Sequence, residues 1–138
     1  MKKSKPKHPA VVLLSALKGE NRLARDVEAL PWVVLTFPEM DWPELIKAAK
    51  VNDLQNRLGF VTVVAREVAE LKGEEARAFK LRGYESELEH SMLLRVDTLC
   101  NERMTNPERK WLKEHRPDSA KKWRLLTDLS LRSLQHYD

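Results

Sequence analysis

Apolar residues in this chain recur at alternating steps of four and three, and most breaks in that rhythm carry a helix cap. Leu54, Leu58, Val61, Ala65 and Val68 form one such stripe, widened by Phe60 and Val64. Leu81, Tyr84, Leu88, Met92, Val96 and Leu99 form another. A period near 3.6 gathers side chains on one face of a helix, whereas a strand would need a period of two. Leu dominates the apolar set and only four Gly occur in 138 residues, which also favours helix over sheet. The expected fold is all-α: a compact bundle of six or seven helices, with one long helix near 74–102.

The punctuation supports the count. Pro9 suits a first helical turn, and Ala10–Leu17 reads as a short buried helix stopped at Gly19. A second helix is expected from about Asn21 to Leu30, with Pro31 forcing a break. Pro31–Phe37 reads as a short helix or turn. Asp41-Trp42-Pro43-Glu44 is a helix start with a cap, a first-turn Pro and an acid three residues on. Asn52-Asp53 restarts a helix that Gly73 ends. Gly83 interrupts the long helix and marks a kink or a close helix crossing. Thr105-Asn106-Pro107-Glu108 repeats the capping pattern and opens a helix to about His115. Pro117-Asp118-Ser119 recaps a last helix running to about Gln135, with Trp123, Leu126, Leu129 and Leu134 mostly on one side.

The length suits one domain, able to bury roughly two thirds of its unfolded surface. Residues 1–8 read as a flexible basic tail ahead of a single helical domain, 9–138. The net charge of +4 is modest but unevenly placed. The tail has four Lys and no acid, Glu39–Glu102 leans acidic, and Arg103–Arg124 is basic by more than two to one. Apolar runs such as Ala10–Leu14 are too short to span a membrane, and no secretory pattern follows the opening lysines. A reducing cytoplasm is the expected location. The lone Cys100 reads as a small buried apolar residue.

Few constellations carry chemistry. Glu87 and His90 share a helix face at the Glu-x-x-His spacing, but a di-iron bundle needs a second such motif and two more carboxylates. No metal site or cofactor is expected, and Glu85, Glu87 and Glu89 read as a solvated face. No nucleophile elbow or phosphate-cradling Gly loop exists. Arg109 and His115 resemble the Arg-x4–6-His element of HEPN-type ribonucleases, where a cation holds the scissile phosphate and an imidazole moves the proton. The polar residue usual just after that Arg is replaced by Lys110.

Two stretches suit binding. Arg109, Lys110, Lys113, Arg116, Lys121, Lys122 and Arg124 span a helix–break–helix with Trp111 and Trp123 interleaved. Such cations could neutralise the phosphates of DNA or RNA. The competing reading is a solvated face whose Trp residues anchor the core. The break lacks the turn and pattern of a helix-turn-helix. The second stretch runs from Asn52 to Phe60. It concentrates amides and an Arg beside a mid-helix Gly, and so invites close approach by a helix or a partner. Asn52, Gln55, Asn56, Arg57 and Gly59 are its candidate partner-binding residues, and Asp53 can pair with Arg57 at i,i+4.

Arg57-Leu58-Gly59-Phe60, following an amphipathic helix, resembles the Arg-Leu-Gly-Phe/Tyr element of AbiEi-type abortive-infection antitoxin regulators, over residues 41–71. That family represses transcription and neutralises a partner toxin. Its N-terminal winged helix has no counterpart here, so the resemblance implies the regulatory half alone. The leading expectation is a non-enzymatic regulatory or defence-associated protein that binds a partner protein, with nucleic-acid contact through its basic C-terminal region. A metal-independent ribonuclease using Arg109 and His115 is one alternative. A helical subunit that self-associates through the Leu81–Leu99 stripe, a homo-oligomer, is another.

Overall fold

In the computed structural model the described residues are 9–19, 24–37, 39–99, 101 and 104–130. Among them the order is α1 (Pro9–Leu17), α2 (Ala24–Thr36), α3 (Trp42–Val51), α4 (Gln55–Leu71), α5 (Glu75–Glu89), β1 (Asp97–Thr98), α6 (Asn106–His115), α7 (Asp118–Lys122) and β2 (Leu125–Leu126). The fold is all-α, with one two-residue parallel pairing of β1 and β2. The tail 1–8, Asn21, Cys100, Glu102, Arg103, Leu134 and Gln135 lie outside the described residues.

α4 is the axis of the fold. Thirteen of its 17 residues are buried, including Leu58, Phe60, Val61, Val64 and Ala65. A helix buried on most of its circumference needs neighbours on several sides. α2, α3, α5 and α7 all pack on α4, while α1 packs on α2 and α3.

The caps at Asp41 and Thr105 hold as read, whereas α4 and α7 start without a side-chain cap bond. The backbone N–H of Glu44 donates to Asp41 Oδ1 at 3.3 Å, and that of Glu108 to Thr105 Oγ1 at 3.3 Å. Gly73, at φ +76°, ends α4: its N–H donates to the Glu70 carbonyl and that of Glu74 to Ala69. The same motif ends α3, with Asp53 at φ +55° in the glycine position. There Asp53 N–H donates to Lys50 and Leu54 N–H to Ala49. Both are Schellman closures, which left-handed residues make possible. Asp tolerates that conformation better than most side chains.

Five expectations are corrected. α2 runs through Pro31 without a break. An interior Pro costs about 3 kcal/mol. Burial of Leu30, Val34 and Leu35 offsets it at roughly 1.5–3 kcal/mol each. The 74–102 helix stops at Glu89, so α4 is the longest helix among the described residues. Beyond it, Ser91–Val96 is held in irregular form by side chains of α4. Gly83 marks no close crossing: α5 runs through it, and a Cβ on Gly83 would meet nothing within 4 Å. α7, the last helix among the described residues, ends at Lys122, where Arg124 at φ +59° turns the chain into β2. Arg57 ignores Asp53 and reaches Asp97 instead.

The Leu81–Leu99 stripe is therefore divided. Leu81 and Leu88 are buried on α5, Tyr84 stacks on Trp42 at 4.3 Å, and Leu99 is buried beyond β1. Val96 is exposed in the irregular segment.

Candidate nucleic-acid interface

The amide-rich start of α4 faces inward. Gln55, Asn56 and Arg57 are buried, and each ties a distant segment to α4. Gln55 Nε2 donates to the Ser91 carbonyl at 2.9 Å. Asn56 donates through Nδ2 to Leu93 O at 2.9 Å and Trp123 O at 3.2 Å, and its Oδ1 accepts from Leu93 N–H at 2.8 Å. It thus satisfies both backbone groups of Leu93, as a neighbouring strand would. Arg57 grips Asp97 at both oxygens, Nε–Oδ2 3.0 Å and Nη2–Oδ1 3.2 Å. Its Nη1 donates to the Leu17 carbonyl at 2.8 Å, completing the C-terminus of α1. Gly59 is covered by the indole of Trp123. Asn52 alone of the five is exposed, and its Nδ2 donates to Ala48 O at 2.7 Å. The proposed partner patch is thus mostly interior, because these polar groups complete backbone segments that have no regular partner.

A second polar group sits farther along α4. Arg66 bonds Glu85, with Nε–Oε2 at 2.6 Å, and also Glu70. Burial alone would lower Arg66, but its hydrogen bonds to the carboxylates of Glu85 and Glu70 outweigh it, and its proton is held more tightly than usual. Burial raises the Glu67 carboxyl, against the opposing charge of Arg66 and a hydrogen bond from Ser119.

The lysines of the basic region, by contrast, face out. α6 has no buried residue. Leu112, Arg109 and Arg116 turn partly inward. Arg109 Nε donates to Met104 O at 3.4 Å, and Arg116 Nη1 to Leu125 O at 3.2 Å. Behind them lies a cavity of about 250 Å³, which Leu112 and Leu126 line together with the carboxylates Glu28, Glu108 and Asp128. Lys110, Lys113 and Lys121 are exposed and form no ion pair among the described residues. Lys122 pairs with Glu89. Arg124 is half-buried and its carbonyl accepts from Asp97 N–H at 3.0 Å, a backbone role in the β1–β2 pairing.

The two Trp residues separate. Trp123 is fully buried, as a core anchor should be. Trp111 is 54% exposed, and its ring stacks on His115 with centroids 4.4 Å apart and planes 15° from parallel. The sequence made no distinction between them, since both follow a basic residue on a short helix. Arg109 and His115 lie six positions apart on α6, about 120° around its axis. Each is engaged elsewhere, Arg109 with Met104 and His115 Nδ1 with the Trp111 carbonyl at 2.8 Å.

Charge sorts the same way. Residues 105–124 hold seven basic and three acidic residues, a surplus equal to the net +4 of the whole chain. A metal-holding cluster of His, Cys, Asp or Glu does not occur among the described residues. No described helix is long and apolar enough to cross a membrane. No protein-family model, curated protein or solved structure matches the chain.

Proposed function

We propose that this protein acts by binding, and that the outer surface of α6 and α7 is a nucleic-acid contact face. The observation that carries this reading is a group of exposed cations with no ion pair among the described residues: Lys110, Lys113 and Lys121 stand on α6 and α7, of which only Ala120 is buried. Lysines in that setting are free to neutralise phosphates and release counterions. The conspicuous polar residues of α4 hold the fold together, which leaves the C-terminal face as the chemically distinctive surface. A regulatory role of the kind the 41–71 resemblance implies, with a partner protein, is compatible with such a face.

The test is charge reversal. Lys110→Glu, Lys113→Glu and Lys121→Glu together should abolish retention on a nucleic-acid column without altering thermal stability. In titrations of the single substitutions, each lost phosphate contact should reduce the salt slope of log K by roughly 0.7–0.9. Unchanged retention by the triple variant would rule this face out.

A further inference from the structure

We infer that the Trp111–His115 pair is a base-stacking platform, and that the nucleic acid taken by this face is single-stranded. This rests on the nucleic-acid reading above and adds the kind of strand. Trp111 is a large ring left mostly in water on a helix whose only other large apolar side chain, Leu112, turns partly inward, whereas Trp42 and Trp123 are buried. It is held in place: its indole lies on the imidazole of His115, whose Nδ1 is bonded to the Trp111 carbonyl at 2.8 Å. The two rings therefore present an ordered aromatic surface, with little side-chain freedom left to lose when a base stacks on it.

Lys110 and Lys113 flank Trp111 in the chain and are exposed. Cations that follow a sugar–phosphate backbone, beside an aromatic ring that receives a base, are the elements of single-strand recognition. A duplex keeps its bases stacked on each other and has no π-face to offer the indole without unstacking. α6 lies at the surface, with only Leu112 and Arg109 turned partly inward. Thr105 caps its start, Arg116 ties its end to β2, and none of its residues is buried. A flexible strand can reach its outer side, where Lys110, Trp111 and Lys113 are exposed.

The experiment titrates the full chain with oligo(dT), oligo(U) and a duplex of matched length. It follows probe anisotropy and intrinsic Trp fluorescence at two salt concentrations. Single strands should bind about tenfold or more tightly than duplex, with quenching of Trp emission. Trp111→Ala should weaken single-strand binding by about 5- to 100-fold and remove the quenching, while Trp111→Phe restores part of the affinity. A preference between oligo(dT) and oligo(U) identifies DNA or RNA as the source of the strand. Equal binding of duplex and single strand, or full affinity in Trp111→Ala, would overturn the stacking inference while the lysine-dependent contact stands. Failure of the wild type to bind any of the three would overturn both.

Discussion

A Cβ placed on Gly59 would stand 2.2 Å from Cζ3 of Trp123, so the indole occupies the space that any other side chain at 59 would need. The contact joins the second turn of α4 to the end of α7, and it adjoins the Asn56 bond to the Trp123 carbonyl. It explains a glycine in a helix interior, where Gly costs about 1 kcal/mol relative to Ala. The buried ring returns more than that, since a fully buried large side chain contributes on the order of 2–3 kcal/mol.

Gly59→Ala should therefore destabilise the protein, despite the better helix propensity of Ala. Overpacking of this kind costs about 1–3 kcal/mol, and a contact this close places the change at the upper end. Chemical denaturation measures it. Combining Gly59→Ala with Trp123→Leu should cost less than the sum of the two single changes, because the smaller side chain frees the space the methyl needs. Strict additivity would show that the ring does not define the site.

Arg57→Ala should be among the most damaging single changes, at about 3–5 kcal/mol. It would leave Asp97 without its bidentate partner and remove the Nη1 bond to the Leu17 carbonyl. Arg57→Lys should recover only part of the loss, because an ammonium cannot reproduce the fork that holds both carboxylate oxygens. The measurement is the unfolding free energy of the three proteins at one pH. Equal stability of Arg57→Lys and wild type would show that charge alone suffices.

Glu67 predicts a pH signature. Burial raises its carboxyl above the ordinary value of 4.5, so the folded state holds the proton more tightly than the unfolded chain. Its contribution to stability is then complete below that value and is lost as pH rises through the folded-state value. Glu67→Gln, which stays neutral, should gain stability relative to wild type on moving from acid to neutral pH. Melting temperatures of both proteins across that range check it. A constant difference would mean that the site's environment does not distinguish the two protonation states.

The helical rhythm and its caps were legible in the residues because both are local. A stripe at four-three spacing and an Asp41 or Thr105 three residues ahead of an acid depend on neighbours within a turn or two, and the structure keeps the Leu54–Val68 stripe and both caps. The errors came where a distant group overrides a local preference. Nothing near Pro31 in the chain shows that Leu30, Val34 and Leu35 are buried tightly enough to carry a helix through it. Nothing near residues 91–96 shows that Gln55 and Asn56 draw this segment out of its helix. The parallel pairing left one faint trace, the β-branched Val96 and Thr98 around Asp97.

The candidate site divides along the same line. The sequence by itself determined the helix class, the capped boundaries and the concentration of positive charge between 105 and 124, because composition and short-range spacing carry those properties. Only the tertiary structure decided that Gln55, Asn56, Arg57 and Gly59 are interior, that Trp123 is core, and that Trp111 is a surface ring stacked on His115. Exposure belongs to a residue's neighbours in space. Arg57 chose Asp97, forty residues away, over Asp53, because only the distant carboxylate stood where the guanidinium's fork could meet both oxygens.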